Sequence, residues 1–280
     1  MIRGIEERVE TPPLAAVAGE RTAKASGSGA RRVIDLLVSL SLADMRARYG
    51  RDPLRFLKWL LDSMALVGVY LVLRTILLDR GGPAPGLSLA CAVIPFHLMM
   101  MTVFNSMTTV RDRRAIVLNV GFNRTLLPAS SACTEAIAFA GSLLLLFGLM
   151  AAYSVAPTVA MLWLPVVIAV TVAFTLSCAY PASLFGMWFP EWQNIARSLI
   201  RMLFFLAPGI IALNEIPASA QQWIKLNPLT GIFESFRDVF LYGQSPAAWE
   251  LLYPLGFAAV LLAVTLPVYR REERHLPKVI

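Results

Sequence analysis

Two groups of residues have the types and spacing for chemistry. The first is basic: Arg111, Arg113, Arg114 and Arg124 stand within residues 110–124, beside Asn119, in a short polar break between apolar runs. Guanidinium groups so gathered bind anions or the acidic face of another protein, and in a membrane protein they also fix which end of the chain faces the cytoplasm. The second group is mixed: Glu215, Glu234, Arg237 and Asp238 fall within residues 214–245. Carboxylates beside a cation are the raw material of acid–base catalysis, and a membrane-embedded ligase or transferase would place such groups on an outside loop.

Other chemistry has little to stand on. His97 and His275 are the only histidines, and Cys91, Cys133 and Cys178 all lie inside apolar runs with no CxxC spacing. Neither a disulfide framework nor a metal site follows, and no catalytic residue is assigned. The patterns GxxxxGK[ST], HExxH and GxSxG are missing, so the chain has no cradle of its own for a nucleotide.

The elements that must position these groups are membrane helices. The chain is 57% hydrophobic and 15% charged, far below the usual charge content of a soluble domain of 280 residues. Net charge is +7, but no polar domain is long enough to present it to nucleic acid. Residues 81–110 carry no Asp, Glu, Lys or Arg, and residues 136–190 carry none over 55 positions. About 20 apolar residues span a bilayer, so the second run holds most of two spans and a tight turn.

Taken in order, residues 1–32 are rich in Ala, Gly, Pro and charge and read as a disordered cytoplasmic tail without an early apolar core for a signal peptide. Residues 33–53 hold an amphipathic interface helix: Val33, Leu36, Leu37, Leu40 and Met45 recur at helical spacing against Arg32, Asp35, Asp44, Arg46 and Arg48. Such a helix suits the membrane surface, a protein partner, or both. A six-span region then covers residues 54–269, with spans at 54–78, 87–110, 126–153, 158–188, 195–213 and 249–269. Pro165 and Pro181 are expected to bend or break the fourth, and Pro208-Gly209 the fifth. Ile116, Val117, Val120 and Phe122 allow a short helix along the inner face.

Between the fifth and sixth spans the chain is too polar to cross and too apolar for a loop. Asn227 is a plausible N-cap with Pro228 at the first helical position, and Gly243 a plausible stop. The segment predicts a pair of short re-entrant helices, with Phe233, Phe236 and Phe240 on one stripe and Glu234 paired with Asp238 on another. Residues 270–280 form a second basic tail. Only four of the 25 Lys and Arg, namely Arg74, Arg80, Lys225 and Arg237, fall to the outside in this layout. The positive-inside rule therefore places both termini in the cytoplasm. The fold class is an all-α integral membrane protein.

A family resemblance rests on ordered motifs. Arg46-Ala-Arg48-Tyr49-Gly50-Arg51 with Leu54 and Trp59, Val93-Ile94-Pro95-Phe96, Asn123-Arg124, Leu127-Pro128 and Glu135, the run Leu203 to Leu206 with Pro208, and Asn227-Pro228 followed by Phe236-Arg237 and Gly243 resemble permease subunits of bacterial ABC-type polysaccharide exporters. Two positions depart: Leu54-Arg55 stands where Leu-Gly is usual, and Pro190-Glu191 where Arg-Asp is common. The resemblance implies a homodimer in the cytoplasmic membrane with two separate ATPase subunits, which hold ATP and Mg while this chain binds no cofactor. It implies that Arg111, Arg113, Arg114, Asn119 and Arg124, with Arg46 and Arg48, couple to the ATPase. The substrate would be a lipid-linked glycan, passing Tyr70, Arg197, Arg201, Phe204, Phe205, Phe233, Phe236 and Phe240. Aromatic faces stack on sugar rings, although the same side chains also serve as interfacial anchors, and Arg197 and Arg201 as snorkelling ones. Two other classes fit the sequence: an exporter of drugs or lipids, and the membrane enzyme built on Glu215, Glu234, Arg237 and Asp238.

Overall fold

The computed structural model describes residues 29–49, 64–65, 67–72, 84–113 and 124–272. Among them every regular element is helical: α1 Gly29–Tyr49, α2 Pro85–Asp112, α3 Leu126–Ala152, α4 Leu164–Trp188, α5 Gln193–Leu206, α6 Ala218–Ile224, α7 Pro228–Arg237 and α8 Ala248–Glu272, with residues 67–72 also helical. The tails 1–28 and 273–280, most of the expected first span, and the hinge residues 114–123 lie outside the described residues.

Four of these elements are long and apolar enough to cross a bilayer: α2, α3, α8, and α4 with the 3-10 turn Val159–Trp163 that leads into it. Their bounds follow sequence signals. Left-handed Ala84 and Pro85 open α2, whose Pro is harmless where no helical N–H partner is needed. Pro165 sits in the first turn of α4, after the 3-10 turn, whereas Pro181 lies mid-helix and α4 continues through it unbroken.

α2 is the centre. It packs on α3 and α4, and α4 in turn on α8, while α7 wedges against α2 and α8. The α2–α4 seam is close because Gly186 faces the carbonyl of Met107; a Cβ there would stand 1.9 Å from that oxygen. Small residues bring membrane helices together in this way, since lipid supplies no hydrophobic drive to join them. Gln193 then ties the start of α5 to α4, its Nε2 donating to Gly186 O at 3.2 Å.

The fifth span differs from expectation. α5 has 14 residues, about 21 Å at the α-helical rise, too short for the roughly 30 Å hydrocarbon core. The helix stops at Leu206 because Pro208 cannot continue it. The chain nonetheless runs beside most of α2: it starts at Gln193 near the Met107 end and reaches Gly209, which shares one partner with Ser88 in the first turn of α2. The last part of this passage, residues 207–212, is irregular backbone.

The short-helix pair is present. Asn227 caps α7, its side chain accepting from Leu229 N at 3.0 Å. A π-helical turn, Asp238–Tyr242, extends α7 to Gly243, whose φ of 64° ends it. One face of this unit carries Phe233, Phe236 and Phe240, all at most 1% exposed. Phe233 meets Phe96, Phe236 meets Phe139 and Phe240 meets Phe147, edge to face, at centroid distances of 6.4, 6.0 and 5.3 Å.

Candidate functional site

Three places could carry function, ordered along α2. At the hinge end, α2 finishes at Arg113 and α3 begins after Arg124-Thr125. Arg111 is exposed and Arg124 half-buried. Arg113 turns inward: its Nη2 donates to Asp44 of α1, closing an ion pair, and its Nη1 donates to Ser130 Oγ of α3. Ser41 Oγ donates to Ser130 O at 3.3 Å, a second tie between α1 and α3. Tyr269 OH and Tyr180 OH donate to the carbonyls of Arg124 and Thr125, each at 3.3 Å, fixing where the hinge rejoins the bundle. Arg114 and Asn119 lie outside the described residues, as do the side chains of Arg46 and Arg48, which stand on α1.

Midway, Arg197 and Arg201 sit one turn apart on α5 and both lie over the ring of Phe104, at 5.9 and 5.5 Å from its centroid. Cations at such depth keep favourable contact with a ring quadrupole where water is scarce. Tyr70 stacks on Phe204 at 4.8 Å and meets Phe205 edge-on at 6.0 Å. Phe204 is fully buried, whereas Phe205 is exposed along with Leu199, Met202 and Leu206 on the outer side of α5. Of the eight residues the sequence grouped along a path, Phe204, Phe233, Phe236 and Phe240 are thus interior to a single chain, and Tyr70, Arg197, Arg201 and Phe205 reach its surface. An apolar groove of about 620 Å³ opens nearby, lined by Met99, Phe174, Cys178, Leu203, Leu206 and Phe257 among others.

At the end opposite the hinge, Arg237 is completely buried. Its Nη1 donates to Glu234 Oε1 at 2.5 Å, Nε to Ser88 O at 3.2 Å and Nη2 to Gly209 O at 3.1 Å. Glu234 also accepts from Leu213 N at 3.0 Å. Glu234 therefore pairs with Arg237, and the expected pairing with Asp238 is corrected: at i+3 the guanidinium offers opposite charge, while a second carboxylate would repel. Arg237, counted among the outer charges, is a core residue.

Beside this ion pair lies a cavity of about 470 Å³ lined by Leu213, Asn214, Gln221, Glu234, Asp238, Tyr242, Gln244 and Glu250. Its amides spend their NH₂ groups on the protein: Gln244 donates to Asp238 Oδ1, Asn214 to Tyr242 OH and Gln221 to Ile216 O, at 2.7, 3.1 and 2.8 Å. What remains toward the cavity is a mixture of acceptor oxygens, the Tyr242 hydroxyl and the second N–H of each amide, a lining that suits hydroxyls, which both donate and accept. Burial holds the Asp238 carboxyl above its ordinary range. Glu234 and Arg237, named as candidates for an enzyme, are consumed by each other and by backbone. No group of three or more His, Cys, Asp or Glu among the described residues is placed to hold a metal ion.

Asp44, Ser130 and Asn105, the last donating to Glu135 Oε1 at 2.7 Å deep between α2 and α3, were not among the sequence candidates. Glu135 did announce itself, as the one charge in a long apolar run.

The fold and these sites define a multi-pass, all-helical membrane protein. No family model matches the chain. It is similar to the O-antigen export system permease protein RfbA of Myxococcus xanthus, 28% identical over 242 residues, which cover 85% of this chain and 93% of that protein. A permease protein of the same name from Klebsiella pneumoniae is 21% identical over 89% of this chain and 96% of its own length. The polysialic acid transport protein KpsM of Escherichia coli is 29% identical over 91 residues, 32% of this chain and 35% of that protein. The resemblance to permease subunits of ABC-type polysaccharide exporters, carried in the sequence by spaced motifs, thus extends over most of the chain.

Proposed function

We propose that the chain is the permease subunit of an ATP-driven exporter that moves a lipid-linked polysaccharide across the cytoplasmic membrane. The observation that carries this is similarity along nearly the full length of two O-antigen export permeases, with no large region left unmatched on either side. ATP hydrolysis belongs to a separate subunit docked at the hinge, two copies of the chain enclose the path, and both termini are cytoplasmic.

The three places fit distinct parts of such an exporter. The hinge end offers a basic face for the motor. Arg197 and Arg201 with half-buried Tyr70 and exposed Phe205 offer cations and rings to an anionic, sugar-bearing head group, beside an apolar groove suited to a lipid chain. The polar cavity at the far end suits sugar hydroxyls leaving the membrane. Deleting the gene should make a glycan accumulate on its lipid carrier inside the cell, and mild extraction of the tagged protein should bring an ATPase with it. An unchanged glycan distribution with no ATPase recovered would defeat the proposal; accumulation of a drug or simple lipid instead would favour the other exporter class.

A further inference from the structure

Among the hinge arginines, Arg113 has its side-chain geometry set by a long-range ion pair. Its planar group joins three elements at once: the end of α2 that bears it, Asp44 on α1 and Ser130 on α3. The side chains of Arg113 and Asp44 are only 11% and 22% exposed, and Ser130 is fully buried. Little of this guanidinium is left for an external protein. Arg111, two residues earlier, is exposed and has no such commitment.

The other surface of α1 explains why a tie here matters. Ile34, Val38 and Leu42 recur every fourth residue and are 57%, 43% and 43% exposed, an apolar stripe turned away from the bundle. Leu37, Leu40, Ser41 and Asp44 form the inward side, and α1 packs chiefly on α3. An apolar stripe can float in the bilayer surface but gives no fixed angle or register. Orientation must come from directional bonds, and among the described residues those from Arg113 and Ser41 reach across.

We infer that Arg113 is a strut, not a docking contact: through Asp44 and Ser130 it clamps the interface helix α1 to the ends of α2 and α3 that bracket the hinge, so that α1 and these two helix ends move as one body. The source of the push rests on the proposed function, in which an ATPase presses on the hinge; the clamp itself does not. A lysine keeps the charge but offers no planar fork able to hold Asp44 and Ser130 together.

The test uses the full-length protein in lipid nanodiscs, with Asp44→Arg, Arg113→Asp, the double swap, and Arg113→Lys. Hydrogen exchange of the backbone amides of residues 36–45 is followed with no partner present. Either reversal should speed exchange by about tenfold, Arg113→Lys should do so by at least about threefold, and the double swap should restore protection. Unchanged protection in both reversals, or wild-type protection in Arg113→Lys, would overturn the clamp. In cells, each reversal should still bring down the ATPase while glycan export falls by about tenfold, and the swap should recover export. ATPase binding lost on Arg113→Asp, retained in Arg113→Lys and not restored by the swap would instead make Arg113 a docking contact. If no ATPase is recovered even with the unaltered protein, the proposed function fails, and the exchange result still decides the clamp.

Discussion

Arg237 and Arg113 stand at opposite ends of α2 and do comparable work under opposite conditions. Arg237 is fully buried, gives bonds to three different acceptors, and joins α2, α7 and the irregular turn after α5. Arg113 joins α1, α2 and α3 but keeps part of its side chain and more of Asp44 at the surface. Burial makes the first tie costly to break, since a lone charge left in the interior has no water to turn to. Partial exposure makes the second less costly to break, because some water reaches the pair and either partner left alone. The molecule is thus fixed at one end and adjustable at the other, and the adjustable end is where the hinge leaves.

The largest way to break this contrast is Arg237→Ala. It strands Glu234 in the interior, with an expected loss of about 3–5 kcal/mol, read as collapse of the thermal transition or of monodispersity in detergent. Adding Glu234→Ala should recover part of that loss. Next comes Gly186→Ala, which drives a methyl into the Met107 carbonyl and should cost about 1–3 kcal/mol by forcing α2 and α4 apart; a melting temperature equal to that of the unaltered protein would refute the tight seam.

A subtler contrast is in pH. Burial raises the Asp238 carboxyl in the folded protein, so the folded state holds a proton that the unfolded chain releases near the ordinary aspartate value of about 3.9. Its contribution to stability is greatest in acid and is lost as pH climbs from that value through the raised one. Asp238→Asn should flatten this part of the stability profile, checked by melting across pH. The smallest effect is expected from Asp44→Ala: a change of about 1 kcal/mol or less in stability, measured by the same melts. A loss as large as that of Arg237→Ala would erase the distinction between the two ends.

The long helices were readable because charge is absent over stretches that only a bilayer tolerates. α2, α3 and α8 begin and end within about three residues of their expected limits, near Pro85, Asp112 and Arg270. Asn227-Pro228 and Gly243 likewise speak locally, through capping and φ. The fifth passage was legible in part: Pro208-Gly209 marked where its helix breaks, but nothing local shows that the chain keeps its direction past the break. Both arginine ties were beyond local reading. Asp44 and Arg113 are 69 positions apart, and Arg237 finds Ser88 across 149. Glu234, Arg237 and Asp238 were placed on a short helix, but three charges in five residues ordinarily seek water, and only the assembled bundle shows them enclosed. The aromatic stripe of α7 was seen, but its direction inward depends on Phe96, Phe139 and Phe147, which no spacing connects to it.

Four-fifths of the most apolar stretch of α2 is enclosed by the rest of the protein, compared with about one-fifth for α8, although both are among the four helices with the length and hydropathy to cross a membrane. A helix that ends surrounded by its siblings must first enter the bilayer bare. During synthesis α2 emerges before α3, α4, α7 and α8, the segments that later wrap it, and so must tolerate acyl chains on the very face that finally touches none. Its oily Leu, Met and Val side chains serve two successive solvents, first the lipid of a growing chain and then the finished protein.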